Sequence, residues 1–454
     1  MRALACPGLS GHTSSTPHLI SWKDEPLFTP QQLFGEFALP TDVLGHASFL
    51  ERARLERERD RDEQARLSLG GYVVARLVDR VLTRADDEEA AEAFLWHLDA
   101  VRRHLRELPS GLPETAHLLG IAEAVPAKAG PIAGLRLGLT AYAYFLEHEG
   151  RLEEALDILA LAARSYGPTM RATDFAACAL FSARLNRLQA RWEAARHCYQ
   201  AAETAAVEAG DPVSALRGRL GRAAVLRSQG NLPAARLMVE AVLEESERLG
   251  LDEVRAIAFA DLGSVFALQG NKVEALHANY RAFEIAPDWL QRMRALGDVG
   301  VGLAEIGCHS AARLAFEIVV ASDTSFLVRN NALIELMDLE STVGNRVAFE
   351  RRRAEADTTA GRMSPSMLVD YHYKAGIGLA RFGQLGRARD LLTTAVRLAE
   401  ANGLNAWYFQ VERVLADLSS CADPEPTEAV DVSRAPAVRE VEEGLQRYAV
   451  LAEA

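Results

Sequence analysis

Seven times along this chain a position suited to ending a helix is followed, five residues later, by one suited to a tight helix contact. Gly150 precedes Ala155, Gly230 precedes Ala235, Gly270 precedes Ala275, Gly307 precedes Ala312 and Gly383 precedes Ala388. Degenerate copies place Ala190 before Ala195 and Gly344 before Phe349. The second members recur about every 37–40 residues, the period of helical repeat arrays. Glycine takes up the left-handed conformation that ends one helix. The small residue five positions on lets the next helix approach closely. Small residues also recur at the matching place upstream, at Ala143, Ala183, Ala223, Gly263, Gly300 and Gly376. Two helices that meet through small side chains form a tight antiparallel hairpin, and the hairpins must stack to bury their faces.

The rest of the composition agrees with such an array. A chain of 454 residues exceeds what one compact core fills, so several domains or a repeat array are required. The formal charge of −13 opposes nucleic acid as a partner, because phosphate binding needs a basic footprint. Cys6, Cys178, Cys198, Cys308 and Cys421 are scattered, with no C-x-x-C pair. This usage fits a reducing compartment, not a disulfide framework or a zinc site. The apolar stretch before Cys6 is too short for a signal core, and no run approaches the roughly 20 apolar residues of a membrane span. A cytoplasmic protein with no membrane association is expected.

The fourth copy carries a family resemblance. Phe259-x-x-Leu262-Gly263-x-x-Phe266, followed by Gly270, Ala275, Ala282 and Pro287, resembles the tetratricopeptide pattern almost position by position. The resemblance covers roughly residues 132–418, about seven repeats. Its long period is similar to the extended variety found in kinesin light chains and MalT-like bacterial regulators. The resemblance implies an all-α, right-handed superhelical solenoid of antiparallel helix pairs, its first helices lining the inner wall. Repeats two and six depart from the pattern. Asn186 and Glu340 replace a large apolar residue and Phe349 replaces the small one, so distortion is expected in both.

Segments outside the repeats divide the chain further. Residues 1–40 read as a largely disordered N-terminal segment, in which Trp22 and Phe28 are the aromatics that could dock. Thr29-Pro30-Gln31-Gln32 within it has the signature of a helix start. Residues 41–130 form an N-terminal helical cap, with a mixed-charge helix from Thr41 to Arg66 and helices at about 68–84, 86–107 and 113–125. A helix–turn–helix at Pro30–Leu50 would begin its second helix Asp42-Val43-Leu44-Gly45-His46, without the basic side chains that phosphates require. Residues 131–418 hold the repeats, closed by a helix at Asn405–Leu418, and 419–434 form a linker. The final segment, 435–454, presents Val438, Val441, Leu445 and Tyr448 on one helical face. It reads as a helix folded back as a cap, or as one offered to a groove of this chain or of a partner.

The chain shows no equipment for covalent chemistry. It has no glycine-rich phosphate loop, nucleophile elbow or H-E-x-x-H motif. His97 and His104 share a helical face without a third ligand, and Cys308-His309 point in different directions at a turn. The sequence therefore implies no enzyme activity, metal or cofactor.

Binding is expected on the inner wall. Counting back from each turn glycine, the first helices of repeats two and three offer Arg184, Arg187, Arg217 and Arg227. Repeats four to six offer Asp261, Asp298, Glu335 and Asp338. The wall thus reads as basic toward the N-terminal repeats and acidic toward the C-terminal ones, suited to a protein or peptide of opposite polarity. The Lys and Asn positions of the family's carboxylate clamp are not matched. The expected function is a non-catalytic interaction scaffold, a regulatory or signalling adaptor that holds a peptide or partner protein in its concave groove. The alternative is a sensory protein that responds to a peptide by controlling a separate transcription factor or ATPase. An enzyme with its site in the N-terminal cap is the third reading.

Overall fold

The computed structural model describes residues 26–35, 45–58, 60–83, 88–126, 132–418 and 435–453. A two-residue strand β1 (Leu27–Phe28) and a short helix α1 (Pro30–Phe34) come first. The N-terminal cap then comprises α2 (Ala47–Glu58), α3 (Asp62–Leu82), α4 (Glu88–Arg106) and α5 (Pro113–Ala124). Seven helix pairs follow. They are α6 (Ala133–His148) with α7 (Leu152–Arg164), α8 (Ala172–Leu188) with α9 (Trp192–Glu208), α10 (Pro212–Ser228) with α11 (Leu232–Leu249), and α12 (Asp252–Leu268) with α13 (Lys272–Ile285). The last three are α14 (Trp289–Ile306) with α15 (His309–Ala321), α16 (Phe326–Thr342) with α17 (Arg346–Asp357), and α18 (Pro365–Arg381) with α19 (Leu385–Ala401). Strand β2 (Met170–Arg171) precedes α8; α20 (Asn405–Ala416) and α21 (Pro436–Glu453) close the chain. No helix among the described residues is long and apolar enough to cross a membrane.

The turn between the two helices of each pair has the expected chemistry. All seven turn positions take positive φ, from Gly150 at 72° to Gly307 at 95°, and Ala190 adopts 55° without glycine's freedom. The anchors Ala155, Ala195, Ala235, Ala312, Phe349 and Ala388 are wholly buried. Large residues on second helices are accommodated by glycines on first helices. A β-carbon at Gly221 would overlap the Tyr199 ring, one at Gly300 the Phe316 ring, and one at Gly378 the Phe349 ring. The bulk of Phe349 in repeat six is thus met by a missing side chain on the next helix.

Repeat two is regular, contrary to expectation, whereas repeat six departs as expected: α17 is only 12 residues long, a 3-10 turn follows at Ala360–Arg362, and α17 packs on α18 far less than the other second helices pack on the next first helix. Asn186 returns its amide to the backbone, Nδ2 donating to the Ser182 carbonyl at 2.9 Å. Glu340 is buried but receives Nε and Nη2 of Arg313 at 2.6 and 3.1 Å. A polar group that finds its partners fills a core position without bending the helix.

Residues 26–35 also depart from expectation, because they belong to the fold. Leu27 and Phe28 pair antiparallel with Arg171 and Met170. Phe28 stacks on Phe175 with ring centroids 4.7 Å apart, and Leu33 is fully buried in a cluster with Ala202, Ala205 and Ala206 of α9. The alanine-rich face of α9 leaves the space that these side chains fill. The helix start at Thr29 is as expected, its N–H donating to Gln32 Oε1 at 2.7 Å. Trp22, the region 36–44 and the linker 419–434 lie outside the described residues.

The cap is pinned to the first repeat by buried charge. Arg151 of the α6–α7 turn donates to Glu114 of α5 and Glu154 of α7, each at 2.6 Å, and Tyr142 donates to Glu114 at 2.7 Å. Nearby, His46 lies between Asp79 of α3 and Asp157 of α7, 2.9 Å from each. Burial opposes its charge, yet the two carboxylates outweigh burial and raise the imidazole to about 9. With the folded pKa above the ordinary imidazole value of 6.5, this contribution to stability is complete below pH 6.5 and disappears as pH rises through about 9. Thermal melts should show the wild-type chain losing stability across that window. A His46→Gln variant should lack that component, and parallel pH profiles for the two would remove this account.

Consecutive first helices touch one another: α8 with α10, α10 with α12, α14 with α16 and α16 with α18. No comparable contact joins consecutive second helices among the described residues. Helices that crowd on one side and spread on the other bend the stack. The first helices therefore line its concave wall.

Candidate functional site

A cavity of about 370 Å³ opens on the concave wall where α6, α8, α10 and α12 converge. Arg184, Arg187, Arg217, Arg227 and Asp261 all line it. The apolar part comes from Tyr144, Phe181, Tyr199 and Ile257. Tyr144 and Phe181 stack at 4.1 Å and 12° between planes, with the Arg184 guanidinium 5.5 and 5.1 Å from their centroids. Such a contact contributes about 0.5–1 kcal/mol where exposed.

The four arginines differ in their freedom. Arg184 donates to Glu147 of α6 at 2.5 Å, Arg217 pairs with Glu253 of α12 at 3.1 Å, and Arg227 pairs with Asp261 of α12 at 2.9 Å. Arg187 has no ion pair within 4.0 Å among the described residues. It stands by the Tyr199 phenol, where burial raises the hydroxyl pKa and Arg187 opposes the rise. It also holds down the Asp261 carboxyl, which burial pushes up. Among the described residues, the cavity therefore keeps one guanidinium without a carboxylate of its own.

Tyr199 was not legible as a site residue. It belongs to α9, a second helix, and should face away from the groove. It reaches the cavity because Gly221 of α10 has no side chain to stop it. The available signal was Gly221 itself, a glycine inside a helix where it costs about 1 kcal/mol relative to alanine.

The acidic residues of the C-terminal repeats do not join this cavity, and the expected acidic half is largely neutralised. Glu335 accepts from Lys374 of α18 at 2.5 Å, and Asp338 accepts from Arg381 of α18 at 2.7 Å. Burial raises the Glu335 carboxyl pKa, with Lys374 opposing the rise. Asp298 alone among the four expected acids has no ion pair among the described residues. The protein around it raises its carboxyl to about 6 against Arg294. Its side chain nevertheless reaches water, and that solvent contact governs, so the shift carries little energy. The pairs Glu147–Arg184, Arg217–Glu253, Arg227–Asp261, Glu335–Lys374 and Asp338–Arg381 each connect the first helices of adjacent repeats. Most inner-wall charges are thus staples between repeats.

No family model matches the chain, and no curated relative matches it. Several solved structures are similar in shape. A Rap protein complexed with Competence and Sporulation Factor has 10% identity and a TM-score of 0.44, covering 77% of this chain and 99% of that one. The apo form of the quorum sensor NprR from B. thuringiensis has 12% identity and a TM-score of 0.44, covering 78% and 97%. The apo form of RapI has 10% identity and a TM-score of 0.43, covering 59% and 98%. At these values the likenesses carry no argument about function.

Proposed function

We propose that the chain is a non-catalytic regulator that takes a short acidic peptide into the α8–α10–α12 cavity and acts through a separate partner protein, such as a transcription factor or an ATPase. The observation that carries this reading is Arg187, a cation without an ion-pair partner among the described residues, in a cavity shared with three other arginines and a stacked aromatic pair. The size of the cavity favours a peptide over a folded partner. About 370 Å³ lies in the range of small-ligand sites, enough for a few side chains. A folded partner would need a surface of about 800 Å². The peptide's carboxylate would meet Arg187, and an apolar side chain beside it would lie on Tyr144 and Phe181.

The test is binding of fluorescein-labelled short peptide pools of fixed net charge, followed by anisotropy. The acidic pool should bind and the basic pool should not, and binding should weaken as salt is added. Equal retention of the acidic, neutral and basic pools would sink the proposal.

A further inference from the structure

The C-terminal helix occupies neither place that a cap or groove ligand would take. It packs on α13 and α15, both second helices, on the convex side of repeats four and five. The array is closed at its C-terminal end by α20, which packs on α19, so α21 adds nothing to closure. Val438, Val441 and Leu445 are fully buried there. Tyr448 meets the Phe283 ring edge-on at 5.0 Å. Gly444 passes directly over the Tyr280 hydroxyl, leaving no room for a β-carbon.

The receiving surface is more apolar than a repeat needs. In α15, the residues Ala312, Ala315, Phe316 and Val319 form the stripe that a second helix buries. A second stripe, Ala311, Leu314 and Ile318, also packs into the same core. Besides its two neighbours in the array, α14 and α16, α15 packs on α21, and both stripes belong to the cluster that takes in Val438, Val441 and Leu445. The outer face of α21 carries the exposed charges Arg439, Glu440, Glu443 and Arg447, so the helix is amphipathic.

We propose that the furrow formed by α13 and α15 is a docking site for an amphipathic helix of a partner protein, and that α21 is its resident pseudo-ligand. The fitting helix is specified by α21. It has apolar residues at the positions of Val438, Val441 and Leu445, an aromatic at that of Tyr448, and a residue without bulk at that of Gly444. It is helix-in-groove recognition in which the Tyr280 hydroxyl excludes helices with a large residue at the sixth position after the first apolar anchor. The site lies on the opposite wall from the arginine cavity and does not depend on it.

The experiment uses the full chain with Val441→Glu and Leu445→Glu together, which places two charges in the furrow and expels α21. The probe is a labelled synthetic peptide of residues 435–453. It should bind the double variant at least tenfold more tightly than the wild-type chain, whose furrow is filled. The same peptide with Gly444→Leu should lose at least tenfold in affinity for the double variant. Hydrogen exchange confirms that α21 opens while α12–α16 stay protected. No peptide binding with α21 open, equal binding to both chains, or no penalty for Gly444→Leu would each overturn the proposal. If α21 remains protected in the double variant, it is not a detachable ligand and the proposal also fails.

Discussion

Arg151→Ala is expected to destabilise the chain by roughly 3–5 kcal/mol, because it leaves buried charges uncompensated. Arg151, Glu114 and Glu154 are all nearly inaccessible to water, with side-chain exposures of 8%, 8% and 5%. Removing the cation leaves two carboxylates facing each other in the interior. Burial already raises the Glu154 carboxyl pKa, and Arg151 is the first group opposing it. The loss should be read by urea denaturation, with hydrogen exchange reporting first in α2–α7. A cost below about 1 kcal/mol, the ordinary range for an exposed pair, would show that water reaches the network and that the cap is not held by it.

For binding, Arg187→Gln is expected to weaken an acidic peptide by about ten- to a hundredfold. A charge-assisted hydrogen bond contributes about 1.5–3 kcal/mol, and each 1.4 kcal/mol is tenfold. The unfolding midpoint should barely move, since Arg187 makes no ion pair among the described residues. Arg217→Gln is the comparison. Its side chain is 42% exposed and already paired with Glu253, so its effect should be only a fewfold. Equal losses for both variants would mean that peptides sense only the net charge of the wall.

The fold was largely legible because the repeat is written in residues with one purpose. A glycine at positive φ and a small residue at a helix crossing have few other uses, and each recurs at the matching place along the array. Repeat two was misjudged, and how repeat six keeps its core was not visible, because the pattern records what a position normally holds. It does not record that Arg313 of one repeat reaches Glu340 of the next, or that Gly378 makes way for Phe349. The N-terminal segment was read only in part for a similar reason: the helix start at Thr29 and Phe28 as an aromatic that could dock were legible, but the partners of Phe28 and Leu33 lie well over a hundred residues away.

The four arginines were found together because offset from the glycine fixes the direction of a side chain on a first helix. Which of them is free was not legible. That depends on Glu147, Glu253 and Asp261, each supplied by a neighbouring repeat. Asp261, Asp298 and Glu335 each lie nine residues before their turn glycine, and the same register that exposes them to the groove also sets two of them against cations of the adjoining helix.

Stapling neighbouring repeats through the charges that face the hollow has a mechanical consequence. A charged guest that engages Arg184 or Arg227 must compete with Glu147 or Asp261, and each bond it takes over loosens a joint of the array. Recognition and bending then use the same atoms. On the proposed peptide-binding reading, a signal would travel as a change of curvature along the stack, with no need for a separate relay.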